Sequence, residues 1–392
     1  MIKVLKSKTA TQAFIYTLFN LLSRFISFLV LLYFARVVGA AHFGVYNYIV
    51  SVVYLFLPLS HLGMFGKILF LSKSKSPEIF ESYLFTFIVL NLTTSLVVGA
   101  VVFLRGYSLL LSLATSMFLL SRATYDYLRK AHVAGLGRVR YVSMASLINR
   151  LTFSLLAVVL PKKTLFLMGS LILADFISSS FMLRRIRFKL KPKVRFDFFS
   201  WIFFLPVIFN SIAARLPQLI YEKRFGVVAL GNFGVAVLIY QGLVFILNDI
   251  SEFISQRGGA ITKEGMKRLE RLSFVSTFLI ILSVIVMRNL ISPFVRLLFG
   301  DKYLLSEQIL YALFFGLGAT TLIIYPRVFM IYRYPRGLSF VSLIYALSSI
   351  AAATIASNIV QATYLRVAAQ YIYALSAWVI VWYSRKRAVE HF

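Results

Sequence analysis

The chain has 392 residues, 60% of them apolar and only 14% charged, with a mean hydropathy of +0.85. Soluble domains carry about 25% charged residues, so too little charge is present to cover a water-facing surface, and a soluble globular enzyme is excluded. Lys and Arg number 42 against 13 Asp and Glu, a net charge of +29. In so apolar a chain this excess points to cytoplasmic loops facing an anionic leaflet and not to nucleic acid.

A bilayer span takes about 20 mainly apolar residues. Twelve such segments follow one another along the chain, the first six at 11–35, 44–66, 80–104, 107–128, 139–160 and 164–184. The others lie at 199–221, 227–248, 272–294, 304–326, 337–357 and 361–383. Their connections are too short to form an extramembrane catalytic domain. With Met1 inside, 28 of the 42 Lys and Arg fall in cytoplasmic segments, eight in outer segments and six within spans. That bias predicts that both termini are cytoplasmic. Met1–Ala10 carries lysines without the pattern of a cleavable signal.

Polar residues inside the spans form stripes at helical spacing. The first span has Gln12, Tyr16, Asn20, Arg24 and Ser27, and the fifth has Ser143, Ser146, Arg150 and Ser154. The seventh has Ser211, Arg215 and Glu222 beside Asn210 and Gln218, with Pro206 and Pro217 expected to bend it. A central arginine costs roughly 2.5–3.5 kcal/mol on insertion scales, so these stripes must face protein or a water-filled cavity. One reading makes Arg24, Arg150 and Arg215, with Asn20, Asn210 and Gln218, a substrate-binding set, because guanidinium groups grip phosphate oxygens bidentately. The other reading is helix–helix hydrogen bonding with snorkelling. Arg122 and Asp126, at i and i+4, are expected to pair. Arg288 and Arg366 are expected to snorkel toward the outer interface. Asp175, near Ser178 and Ser179, is the only acid well inside a span. It is a candidate to carry a coupling proton or Na⁺, or to pair with an arginine. The stretch Asp249 to Arg271 reads as a solvated connector or surface helix.

The most basic stretch, Arg184 to Arg195 with Pro192, lies at mid-chain and reads as a linker between two six-helix lobes, 1–190 and 191–392. Sliding residues 11–50 by 190 positions onto 201–240 pairs ten identities in forty, among them Asn20 with Asn210, Val38 with Val228 and Gly44 with Gly234. An offset spanning six helices implies halves of parallel topology about an axis along the membrane normal. Gly44 and Gly234 stand at the start of the next span, where a small residue permits close packing.

At these residues the chain resembles the polysaccharide and lipid-linked oligosaccharide flippases of the multidrug/oligosaccharidyl-lipid/polysaccharide exporter superfamily. The resemblance rests on Phe34-Ala35-Arg36-Val37-Val38-Gly39 followed by Phe43-Gly44-Val45-Tyr46, on Phe225-Gly226 through Phe233-Gly234, and on Leu298-Phe299-Gly300-Asp301-Lys302-Tyr303. Leu136-Gly137-Arg138 adds a weaker match. It implies an all-α polytopic fold of twelve transmembrane helices, two six-helix lobes about a central cavity that opens alternately to each side of the cell membrane. It also implies a substrate, an oligosaccharide on polyisoprenoid pyrophosphate, moved from the cytoplasmic to the outer leaflet, with Na⁺ or H⁺ as coupling ion and membrane lipids as surroundings. An antiporter of cationic drugs is the alternative within the superfamily, but it calls for acidic cavity residues where these spans carry arginines. A polytopic glycosyltransferase or ligase needs a larger outer loop. No phosphate-binding G-x-x-x-x-G-K-[ST] run, H-E-x-x-H or G-x-S-x-G motif occurs, cysteine is absent and the four histidines are scattered. Neither an enzyme activity nor a cofactor is expected.

Overall fold

The computed structural model describes residues 8–64, 77–132, 139–184, 198–257, 263–300 and 303–390. Among them there is no strand, and twelve α-helices account for nearly all of these residues. The first six are α1 (Lys8–Phe56), α2 (Pro77–Leu104), α3 (Leu109–Lys130), α4 (Val139–Val159), α5 (Thr164–Leu183) and α6 (Phe198–Arg257). The rest are α7 (Lys263–Val286), α8 (Arg288–Phe299), α9 (Leu304–Leu322), α10 (Ile324–Arg333), α11 (Pro335–Ile355) and α12 (Ile359–Glu390). Local chemistry sets their ends. The Ser108 hydroxyl accepts from the Leu111 amide at the start of α3, 3.3 Å away. At the start of α12 the Gln361 amide nitrogen donates to Asn358 Oδ1 while Gln361 Oε1 accepts from the Ser357 amide, a reciprocal cap.

Eight helices in the described residues are long and apolar enough to cross a membrane, or nine when the bent pair α9–α10 is taken as one. Two of the eight are double: non-helical backbone breaks α1 at Gly39 and α6 at Gly226. In α6 the helix runs on through Pro206 and Pro217, so the break falls at the glycine and not at either proline. The segment expected to span 44–66 leaves the α-helix at Phe56 and continues as a single 3₁₀ turn, Leu57–Ser60, led in by Pro58. The segment expected at 272–294 is divided at Met287 between α7 and the short α8, which turns Ile291, Val295 and Phe299 inward and leaves Leu290, Phe294 and Leu297 exposed. The stretch around Asp249 to Arg271 is helical on both sides of residues 258–262, which lie outside the described residues, as do Leu136-Gly137-Arg138 and most of the basic linker.

The chain divides into two compact units. The first comprises Met1–Val37 and Val52–Phe204. In it α3 packs on α2 and α5, and α4 packs on α5. Phe87 stacks on Tyr127 at 4.2 Å, among Leu57, Met64, Ala123 and Ala131. The second comprises Val38–Ser51 and Leu205–Phe392. There α9 packs on α7 and α12, and α12 also packs on α11. Its core gathers Tyr325, Val328, Met330, Val341, Ala374 and Ala377. The α9–α10 pair bends by 41°. The Leu322 carbonyl at that bend accepts from Trp378 Nε1 at 3.0 Å, and the indole stacks on Tyr325. A polar group at membrane depth is thereby satisfied inside the protein.

Within the second unit, the segment of α1 after Gly39 meets its counterpart in α6. A Cβ on Gly44 would collide with the Val227 carbonyl, and one on Gly231 would collide with the Ala40 carbonyl. One on Gly234 would collide with the Asn47 side chain. The contacts are reciprocal, as across a two-fold axis. Gly44 and Gly231, Ala40 and Val227, and Asn47 and Gly234 are each 187 positions apart, as are the break glycines Gly39 and Gly226. The repeat therefore has a register of 187 here, not the 190 that the identities favoured, and Gly44 answers to Gly231. Identities among apolar residues follow composition, whereas the backbone breaks fix where each turn falls.

Candidate functional site

Charged groups inside the helices of the first unit converge. Asp175 on α5 is 2% exposed. Its Oδ1 accepts from Asn149 Nδ2 of α4 at 2.8 Å and lies 3.4 Å from Arg122 Nη1 of α3. Arg122 also reaches Asp126 at 3.5 Å, so the expected i, i+4 pair forms and extends across to α5. The guanidinium lies 5.1 Å from the Tyr125 ring centre, and the Tyr125 hydroxyl is 3.0 Å from Ser146 Oγ. Arg150, one residue beyond Asn149 and half-buried, lies in the field of Arg122, Asp175, Tyr54 and Tyr125. Of the α4 stripe, Ser143 and Ser146 are buried. Asp175 Oδ2 and the hydroxyls of Ser154, Ser178 and Ser179 are buried with no hydrogen-bond partner among the described residues. The Asn149 contact and the α3–α5 ion pair had no signal in the sequence, because their members lie 26 and 53 positions apart.

In the second unit the polar residues of the α6 stripe make hydrogen bonds to neighbouring protein groups. Gln218 is buried; its Oε1 accepts from the Ser51 hydroxyl at 2.6 Å and its Nε2 donates to the Ala214 carbonyl at 3.0 Å. Asn210 Nδ2 donates to the Pro206 carbonyl and to Ser342 Oγ. Both amides are held by protein groups in this structure. Arg215 is half-buried on the same helix. The side chains of Asn20 and Arg24 lie outside the described residues. Arg288 is exposed, with its guanidinium 5.7 Å from the Tyr311 ring centre. Arg366 corrects the expectation of snorkelling. It is 8% exposed, donates from Nη2 to the Ala214 carbonyl at 3.3 Å and sits 5.4 Å from the Phe233 ring centre. Hydropathy gave its approximate depth but not the face of α12 that meets α6.

The sequence matches the profile of the polysaccharide biosynthesis protein family over residues 10–254. The chain belongs to that family. Its fold is shared with solved membrane transporters. The lipid II flippase MurJ in an inward closed conformation aligns with a TM-score of 0.74 at 15% identity, covering 94% of this chain and 87% of that one. An inward-facing multidrug resistance transporter of the MATE family, MOP superfamily, aligns with a TM-score of 0.66 at 12% identity, covering 95% and 94%. A MOP superfamily transporter from Pyrococcus furiosus aligns with a TM-score of 0.54 at 11% identity, covering 96% and 94%. No curated protein sequence gives a significant match. This member of the polysaccharide biosynthesis protein family is thus a multi-pass membrane protein with the all-α fold of flippases and transporters.

Proposed function

We propose that this protein is a flippase that carries an oligosaccharide linked to polyisoprenoid pyrophosphate from the cytoplasmic to the outer leaflet. Membership of the polysaccharide biosynthesis family on a flippase fold is the observation that carries this reading. Two lobes, 1–190 and 191–392, would alternate access to the headgroup while the lipid tail stays in the bilayer. Twelve spans fit that scheme: each arm of the two glycine-broken helices counts once, the bent pair α9–α10 counts once, and α3 is included despite Arg122 and Asp126. An even number leaves both termini on one side, and the bias of Lys and Arg makes that side cytoplasmic. Impermeant labelling of Lys191→Cys, in a chain that has no cysteine of its own, checks the orientation; labelling from outside would reverse it.

Arg24, Arg150 and Arg215 are assigned here to the anionic headgroup, with Asn20, Asn210 and Gln218 as the polar amides of the same set. Asp175 is assigned to the coupling H⁺ or Na⁺, a role supported by the carboxylate oxygen that has no partner among the described residues. The test is headgroup translocation in liposomes by the purified protein under an ion gradient. Arg24→Ala, Arg150→Ala and Arg215→Ala should each abolish flipping with normal expression, and the lysine variants should recover part of it, since lysine keeps the charge without the bidentate fork. Asp175→Asn should flip without responding to the gradient. Alanine variants that flip at the wild-type rate would reject the headgroup assignment. Gradient-driven flipping by Asp175→Asn would remove Asp175 from coupling.

A further inference from the structure

The two units treat their buried arginines differently. In the first, Arg122 lies between two carboxylates. In the second, Arg366 is 8% exposed, yet no carboxylate pairs with it among the described residues. Its Nη2 donates to the Ala214 carbonyl, whereas Nε and Nη1 are buried with no partner among the described residues. One helical turn further on, Gln370 Oε1 is buried, with the Tyr240 phenol near it. The Tyr221 phenol contacts the guanidinium, the Tyr240 phenol contacts Gln370, and the ring of Phe233 lies against the guanidinium. A guanidinium cannot shed its charge by losing a proton. Carbonyl dipoles and ring faces offset that charge only in part, and a buried ion without a counter-ion is strongly disfavoured.

We propose that Arg366 binds an exchangeable monovalent inorganic anion, of chloride size, inside the second unit. Nε and Nη1 of Arg366 are the donors. A half-turn of the Gln370 amide, which exchanges its nitrogen and oxygen, would add an N–H donor. The size follows from the packing: Arg366 is 8% exposed, with the Phe233 ring and the Ala214 carbonyl already against its guanidinium, which favours a small anion over a tetrahedral oxyanion. Every residue of the site belongs to the second unit, and the assignment does not depend on what the protein transports.

The test uses the purified full chain in detergent, exchanged into gluconate and titrated with chloride, bromide, phosphate or sulfate at constant ionic strength, with thermal unfolding as readout. A ligand that binds only the folded state raises the midpoint with its concentration. Chloride and bromide should do so, whereas phosphate and sulfate should not. Arg366→Gln should weaken the apparent halide affinity by at least about tenfold, and in gluconate it should unfold no earlier than the wild type. Bromide diffraction on wild-type crystals gives a second measure that does not rely on the variant folding: an anomalous peak is expected within contact distance of Arg366 Nε and Nη1. Three results would overturn the proposal: a wild-type midpoint indifferent to halide, a halide response that survives in Arg366→Gln, or bromide found elsewhere in the crystal but not at Arg366. Stabilisation by phosphate equal to that by bromide would overturn the size assignment.

Discussion

Replacing Gly231 by alanine tests the close approach of α1 and α6. The added methyl carbon would overlap the Ala40 carbonyl oxygen, with the carbonyl carbon at 2.7 Å and Cα at 3.0 Å. All three atoms are backbone, so no rotamer change relieves the clash and the two helices must part. Overpacking costs about 1–3 kcal/mol against a gain of up to about 1 kcal/mol in helix propensity, leaving a net loss of up to about 2 kcal/mol. Gly169 on α5 supplies the control, because a Cβ there meets nothing within 4 Å. Gly169→Ala should gain up to about 1 kcal/mol, so the two variants should differ by the overpacking cost, about 1–3 kcal/mol. One kcal/mol moves a midpoint by about 2–4 °C in a chain of 150–250 residues and by less in a longer one, so thermal unfolding should separate them by a few degrees. Reciprocity adds a sharper requirement. Gly44→Ala should cost about as much as Gly231→Ala, and the double variant should cost less than the sum, since helices already parted by one methyl accept the second. Equal midpoints for Gly231→Ala and Gly169→Ala, or strict additivity of the Gly44 and Gly231 variants, would refute the reasoning.

Gly39 and Gly226 adopt φ near +80° with extended ψ, a region open essentially to glycine alone. Alanine and asparagine should therefore destabilise by a similar amount at either position, about 1–3 kcal/mol in thermal unfolding, and rescue by asparagine would contradict the assigned backbone. Arg122→Ala strands Asp175 and Asp126 and should cost about 3–5 kcal/mol. Asp175→Asn leaves Arg122 with Asp126 and keeps an acceptor for Asn149, so it should unfold at a clearly higher temperature than Arg122→Ala. Trp378→Phe keeps the ring on Tyr325 but removes the donor to Leu322, a loss of about 0.6–1.7 kcal/mol. Hydrogen exchange should then rise at the bend between α9 and α10 before it rises elsewhere.

Hydropathy made the fold legible, since runs of some twenty apolar residues between basic connections leave few alternatives to a helical membrane protein. It could not reveal Gly226 as the point where α6 breaks, because Pro206 and Pro217 are the stronger breakers by type; only the backbone conformation identifies the glycine. Arg150 and Asp175 were visible as costly residues, and the structure brings both near Arg122. Asn149, the closest partner of Asp175, reads in sequence as one more polar residue on a striped helix. Gln218 and Arg366 show the limit from the other direction. A polar group at span depth must face something other than lipid, but sequence does not distinguish a cavity from a neighbouring helix.

Two cations, Lys162 after α4 and Arg224 within α6, are already committed. Lys162 Nζ donates to the Ala157 and Val158 carbonyls at the end of α4, and Arg224 donates to the Ala353 and Thr354 carbonyls at the end of α11. Each answers the negative pole of a helix. Charges tied to carbonyls are less available to lipid phosphates, so the protein presents a weaker positive field to the bilayer surface than its formal +29 implies. Retention of anionic lipid by the purified protein should accordingly fall less when Lys162 or Arg224 is neutralised than when an untethered lysine is, even as the helix end it caps begins to fray.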